Sequence, residues 1–216
     1  MLLSVHRPLC DMTLKFKPEK LVHSLVFFSN AGVSDLTKLK AAKLFYFADK
    51  EHLLRYGRPI LGDVYYCLPY GPVPSVALNE MSDASENPEV EDSDRNLFCQ
   101  YLDVEKGVNP HPIFKAKRAH DPDVFSESEL EVLGNVVRNY GWRSAGDLVN
   151  LTHSEPAWKI PNQGRIPDGR ARIPYELFFF DADAETLVML DVFRSEHEEG
   201  CELDAILNQK THQLFV

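Results

Sequence analysis

The stretch Lys38-Leu39-Lys40-Ala41-Ala42-Lys43-Leu44-Phe45-Tyr46-Phe47-Ala48-Asp49-Lys50-Glu51-His52-Leu53 decides how this chain folds. At roughly 100° per residue, Leu44, Phe45, Tyr46 and Phe47 point in nearly every direction, so the middle of the helix has to be enclosed by protein. Ser34 is the expected N-cap, with Asp35 in the first turn. After Tyr56 the helix stops at Gly57, with Pro59 beyond. Its first turns carry Lys38, Lys40 and Lys43, and its last turns Lys50 and Arg55. The rest of the chain is expected to pack around it.

Upstream, Pro18 opens a helix whose apolar stripe is Leu21, Val22, Leu25, Val26 and Phe28, closed by Asn30 and Gly32. Residues 1–17 show no period and read as an arm. Downstream, Gly62-Asp63 leads into a short strand, Val64 to Leu68, rich in β-branched and aromatic residues. Tyr70-Gly71-Pro72-Val73-Pro74-Ser75 reads as a rigid connector, with a helix from Pro74 or Ser75 through Met81. Ser82 to Asp94 reads as loop. Leu97–Leu102 and Ile113–Lys117 read as two strands that join the first in one small sheet. Ser126-Glu127-Ser128-Glu129 is a capping box for a helix through Tyr140, ended by Gly141. Ser144 caps another helix through Thr152. Pro174 begins an apolar segment, Tyr175 to Phe180, and Asp183 to Arg194 reads as a last helix or strand. The expected fold is α+β and predominantly helical: a compact helical domain around a central buried helix, with a small antiparallel β-sheet.

Charge separates along the chain. Residues 1–80 hold ten bases and seven acids, whereas 81–94 hold six acids and no base. Residues 95–175 are near neutral, and 176–216 hold ten acids against two bases. These acidic segments repel phosphate, which disfavours nucleic acid as a partner, and they would steer a basic protein. The four cysteines, Cys10, Cys67, Cys99 and Cys201, form no C-x-x-C, which fits a reducing compartment rather than a disulfide framework or zinc site. No apolar run approaches the ~18 residues of a membrane span, and the opening residues lack a signal-peptide pattern. A cytoplasmic location is expected.

Signals for catalysis are weak. Asp49 and His52 share a helix face while Glu51 points elsewhere, and no H-E-x-x-H or comparable spacing is present. A His hydrogen-bonded to an acid or to backbone is the plainer account. Cys67 and Cys99 lie in no nucleophile signature, and Gly62, Gly71 and Gly164 form neither a P-loop nor a dinucleotide fingerprint. The helix pair 126–152 carries Asp147 and few bases where a DNA-recognition helix presents Arg, Lys, Asn or Gln, so a structural hairpin of helices is expected. Neither a cofactor nor a metal is expected.

The block from Lys38 to Leu53, followed by Tyr56-Gly57-Arg58-Pro59-Ile60, Gly62-Asp63 and Tyr70-Gly71-Pro72-Val73-Pro74-Ser75, resembles the Panacea domain of SocA-like antitoxins in order and spacing. Leu151-Thr152-His153-Ser154-Glu155-Pro156-Ala157-Trp158 is similar to that family's second motif, and Ile173-Pro174-Tyr175-Glu176 to the start of its closing helix. The resemblance spans residues 18–180 and leaves 181–216 as an acidic extension. It implies a bacterial or phage antitoxin that neutralises a cognate protein toxin by direct binding. Some relatives instead act as adaptors that deliver the toxin to a cytoplasmic protease. The matching positions are Tyr46, Asp49, Glu51, His52, Tyr56, Gly57, Pro59, Gly62, Asp63, Tyr70, Gly71, Pro72, Val73, Pro74, Thr152, His153 and Trp158. They either hold the scaffold or touch the partner. Tyr65, Tyr66 and Tyr70 are suitable interface anchors where exposed.

Overall fold

A computed structural model describes residues 14–86, 93–106, 111–164 and 169–196. Expectations for residues 1–13, for 87–92 of the acidic stretch and for 197–216 lie outside the described residues. The chain is α+β and predominantly helical, with two small antiparallel sheets at the flanks of its helices. Among the described residues, no helix is long and apolar enough to cross a membrane.

Helix α1 (Pro18–Asn30) begins with its proline in the first turn and buries Leu21, Val22, Leu25, Val26 and Phe28, the stripe its period predicts. Helix α2 (Lys38–Tyr56) is the central element, and every residue from Lys40 to Asp49 is buried. Full burial of a side chain such as Phe45 stabilises by about 2 kcal/mol, so this one segment is a large part of the core. The phenyl rings of Phe28 and Phe45 lie 5.6 Å apart and join α1 to α2. The cap of α2 differs from expectation. Asp35 adopts a left-handed φ of 48° outside the helix, and Thr37 is the N-cap, its hydroxyl accepting from Lys40 N. Gly57 closes α2 at φ 71°, as expected.

The segment after α2 is a hairpin. Strand β1 (Tyr65–Leu68) pairs antiparallel with β2 (Gly71–Pro74), Tyr65 opposite Pro74 and Leu68 opposite Gly71. The expected rigid connector is therefore a strand for most of its length. Its prolines are tolerated because β2 lies at the sheet edge, where a missing N–H costs nothing in the ladder. Helix α3 (Ser75–Glu86) starts where expected but continues beyond Met81 through 82–86, which had read as loop.

Leu97–Leu102 is the clearest departure. Residues up to Tyr101 belong to α4 (Ser93–Tyr101), and only Leu102 starts β3 (Leu102–Lys106). An apolar run this short does not distinguish strand from helix, and Phe98 and Leu102, four apart, are both buried. Strand β4 (Pro112–Ala116) pairs with β3 and with no strand of the hairpin, so the expected single sheet is two. Phe114 N donates to Leu36 O, tying this second sheet to the entry of α2.

Ser126 and Glu129 form the expected capping box of α5 (Glu127–Val136). A π-helical turn, Val137–Gly141, then carries the chain to α6 (Ala145–Ser154), capped by Ser144 and Asp147. Helix α7 (Pro156–Gln163) follows, and β5 (Ala171–Arg172) adds to the free edge of β1. Tyr175–Phe179 is a 3-10 segment that buries Tyr175, Phe178 and Phe179. The region of Asp183 to Arg194 resolves as helix α8 (residues 187–196), started by Asp183 Oδ1 accepting from Thr186 N.

Candidate functional site

Many of the residues singled out in the sequence gather around the β1–β2 hairpin in two layers, whereas Glu51, His52 and Tyr56 turn toward α5. In the inner layer Asp49, fully buried on α2, accepts through Oδ1 from Ile60 N at 2.8 Å and Leu61 N at 2.9 Å. Its Oδ2 accepts from the Tyr65 hydroxyl at 3.0 Å. Burial pushes this carboxyl up to about 7, against the three donors, which favour the charged form. Asp63 works similarly one turn of chain later. Its carboxylate accepts from Val64 N, Val76 N and Ala77 N, and so serves as the cap that starts α3. Tyr175 OH donates to Asp63 O at 2.7 Å, joining the 3-10 segment to the same loop.

Asp49 and His52 share a face of α2 and do not bond each other; both hold the stretch Arg58 to Leu61 that follows the helix. His52 Nδ1 lies 2.6 Å from Arg58 O and Nε2 lies 3.1 Å from Ser128 Oγ. A carbonyl only accepts, which assigns the proton to Nδ1 and makes Nε2 the acceptor of the Ser128 hydroxyl. Burial lowers the His52 pKa, consistent with a neutral ring. Glu51 points away, accepting from Asn135 Nδ2 and Arg55. Tyr56 reaches Glu131 with its hydroxyl. Tyr46 is enclosed edge-on by Phe47, Tyr65 and Phe178. Pro59 is buried, and Gly57 and Gly62 both sit at positive φ. A Cβ at Gly62 would lie 2.9 Å from Lys15 O.

The outer layer holds the hairpin itself. Lys43, on α2 and fully buried, donates from Nζ to Pro72 O at 2.8 Å. Trp158 Nε1, on α7, donates to Leu68 O at 2.9 Å, and His153, on α6, faces the backbone of Pro69. Side chains from three helices thus converge on the hairpin, Lys43 and Trp158 holding its two strands by hydrogen bonds. The rings of His153 and Trp158 stack at 4.0 Å, supporting each other. Thr152 Oγ1 donates to Val149 O and presses on Gly71, where an added Cβ would lie 2.6 Å from Oγ1 and 2.7 Å from Lys43 Nζ. Gly71 also has φ 98°, so only glycine fits. Cys67 Sγ faces Trp158 O at 3.6 Å and is buried.

The two sequence motifs therefore meet: Thr152, His153 and Trp158 of the second lie against the turn of the hairpin from Leu68 to Gly71. Pro72, Val73 and Pro74 are buried, whereas Tyr70 at the tip is 68% exposed. Of the three tyrosines expected as anchors, Tyr65 is wholly interior and Tyr66 half-buried, leaving Tyr70 as the exposed one. Lys43 was not among the residues singled out. Its signal was present, since a lysine between Ala42 and Leu44 in a helix apolar on every side has to be buried with a partner. Burial lowers its pKa to about 7. Among the described residues, no group of three or more His, Cys, Asp or Glu side chains could hold a metal ion.

The sequence model of the family described as "Antitoxin SocA-like, Panacea domain" matches residues 42–159, more than half of the chain. That span runs from the second turn of α2 through the hairpin to Lys159, and takes in Lys43, the hairpin and the Thr152–Trp158 block. Neither a curated protein nor a solved structure matches the chain.

Proposed function

Because the chain belongs to the SocA-like Panacea-domain antitoxin family, we propose that it neutralises a cognate protein toxin by binding it directly, with the β1–β2 hairpin as the contact element. The observation that carries this reading is the exposed Tyr70 on a turn held from below by Lys43, His153 and Trp158. A turn fixed before binding loses little conformational entropy on association, and tyrosine is a frequent interface anchor.

The role is a binding role rather than an enzymatic one. Asp49, Asp63 and His52 each direct their polar atoms at backbone or hydroxyl groups of the scaffold, so these groups hold the fold in place. The protein acts in the cytoplasm, where its thiols stay reduced.

A growth assay tests the proposal. The adjacent reading frame is induced alone and then together with this protein in one host. Growth restored only by co-expression, with the two proteins copurifying, supports direct neutralisation. Toxicity that co-expression leaves in place removes it. Relief accompanied by faster turnover of the toxin would reassign the protein as a protease adaptor.

A further inference from the structure

A cavity of about 280 Å³ opens beside the last two turns of α2. Lys50, Leu54 and Arg55 of α2 and Pro156 of α7 line it together with residues from 177–186, the stretch that leads into α8. Leu54, Leu177, Phe178 and Ala182 give it apolar walls. The Phe178 ring is fixed by edge-on contacts with Tyr46, Tyr65 and Tyr175, so the cavity is built before any partner arrives. Its charged groups are not balanced. Lys50 pairs with Glu155, and Arg55 with Glu51 and Glu131. Asp183 accepts from Thr186 N at 2.8 Å, and its bonds with Thr186 hold the carboxyl below the ordinary carboxylate range, which keeps it ionised. Asp181 is exposed and has no hydrogen bond or ion pair among the described residues. Taking in the partners of the lining bases, and Arg138 beside Glu131, five carboxylates meet three bases. Phe180, Leu187 and Val188, each next in the chain to this lining or one residue further, are exposed apolar side chains.

We propose that this cavity receives an arginine or lysine side chain from a basic segment of the partner protein, its stem along Leu54, Leu177 and Phe178 and its head at Asp181. The inference rests on the antitoxin reading above and names a second contact in addition to the hairpin. Charge complementarity selects the occupant. Asp181 is the lining charge without a counterion, and apolar walls with an exposed carboxylate match the two halves of a long basic side chain. An acidic side chain would meet the excess of carboxylates. A wholly apolar one would take water from Asp181 and return no partner. The cavity is smaller than the ~300–1,000 Å³ of small-molecule sites, which suits one anchoring side chain. The acidic C-terminal stretch favours the same polarity, because it would steer a basic protein. Phe180, Leu187 and Val188 then offer apolar contact to the residues that flank the base. Lys50, Leu54, Arg55 and Pro156 lie within the family-matched span, whereas 177–186 lie beyond it. The site thus joins the family scaffold to the C-terminal portion of this chain, a position suited to selecting one particular partner.

The test follows the backbone amide shifts of the full chain during titration with a short peptide that carries one arginine between leucines. Peptides with citrulline or glutamate in place of that arginine are the comparisons. The expected result is saturable shifts at Ala182 and Thr186 with the arginine peptide alone. Asp181→Asn should weaken that binding about fivefold, and Ala182→Leu, which fills the cavity, should abolish it. Thermal melting is followed in parallel, and Asp181→Lys serves as a second blocking variant should Ala182→Leu disturb the fold. Absence of shifts with the arginine peptide would overturn the proposal, as would equal binding of the citrulline peptide or arginine binding that both Asp181 variants leave unchanged. A dimer of the free protein that Ala182→Leu dissolves would also overturn it, since the cavity would then hold a second copy. The same variants enter the growth assay. Toxin relief undiminished in Asp181→Lys sinks the docking site while leaving the antitoxin reading intact. Wild-type protein that fails to relieve toxicity yet binds the arginine peptide in this cavity sinks the antitoxin reading alone.

Discussion

Lys43 Nζ donates to Pro72 O at 2.8 Å from inside a helix with no access to solvent at that position. The central helix and the hairpin are thereby joined by a buried amine rather than by apolar contact alone. An amine there is costly to bury, and the cost appears as a pKa lowered to about 7.

That shift predicts a pH dependence. In the unfolded chain the amine stays protonated up to its ordinary value of 10.5, whereas in the fold it releases its proton near 7. Between those values the unfolded state binds the extra proton, so stability rises with pH, by about 1.4 kcal/mol per pH unit from this group. Below 7 both states are protonated and the slope from this group vanishes. Lys43→Met should remove the rise above pH 7. Urea unfolding across a pH series checks it.

Asp49 predicts the opposite slope in a lower window. Its pKa is raised from 3.8 to about 7, so the folded state holds the extra proton between those values. Stability should fall as pH climbs through that window, and Asp49→Asn should flatten the fall. Asp49→Ala should be much worse, by on the order of 3 kcal/mol, because Ile60 N, Leu61 N and the Tyr65 hydroxyl lose their buried acceptor. The same unfolding series separates the two variants.

Gly71→Ala should loosen the hairpin. The left-handed φ of 98° disfavours alanine, and its Cβ would collide with Thr152 Oγ1 and Lys43 Nζ. A loss of about 2 kcal/mol or more is expected, with faster amide exchange at Val73 than in the parent protein. Unchanged exchange would show that the clasp does not hold this strand.

Tyr70→Ala should separate stability from function. The side chain is 68% exposed, so the melting free energy should change by no more than about 0.5 kcal/mol. Toxin relief in the growth assay should nevertheless drop. Tyr65→Ala should lower both, since that ring is packed against Tyr46, Tyr175 and Phe178.

Gly57→Ala tests how α8 is held. A Cβ at Gly57 would lie 2.8 Å from Val192 Cγ1, and the residue sits at φ 71°. Limited proteolysis should cut residues 187–196 sooner in this variant, with the hairpin region cleaved at the parent rate. Equal cleavage at both would mean that Gly57 acts only through α2.

Local signals carried much of this far. The four consecutive apolar residues Leu44 to Phe47 announced an enclosed helix, and Gly57, Ser126 and Ser144 marked helix ends through backbone chemistry that acts within a few residues. The order of Tyr70-Gly71-Pro72-Val73-Pro74 and the later Thr152-His153…Trp158 block was enough to identify the family. Short apolar runs were another matter. Leu97–Leu102 suits a strand or a helix equally, and the decision came from packing, with Phe98 of α4 set against Phe114 of β4. Asp49 and His52 share one helix face, yet they do not bond each other: both hold the loop that follows α2, and His52 alone reaches a distant partner, Ser128.

By itself, then, the sequence determined the central helix, the caps at Ser126 and Ser144, and the two motifs that define the family, because each depends on residues close together in the chain. Only the tertiary structure decided that the two motifs meet at one hairpin, that Lys43 is its buried donor, and that Tyr70 stays exposed at its tip. Those outcomes depend on contacts between segments up to a hundred residues apart, such as Trp158 Nε1 with Leu68 O. Burial and register at that range are set by how whole elements pack, and no window of local sequence contains them.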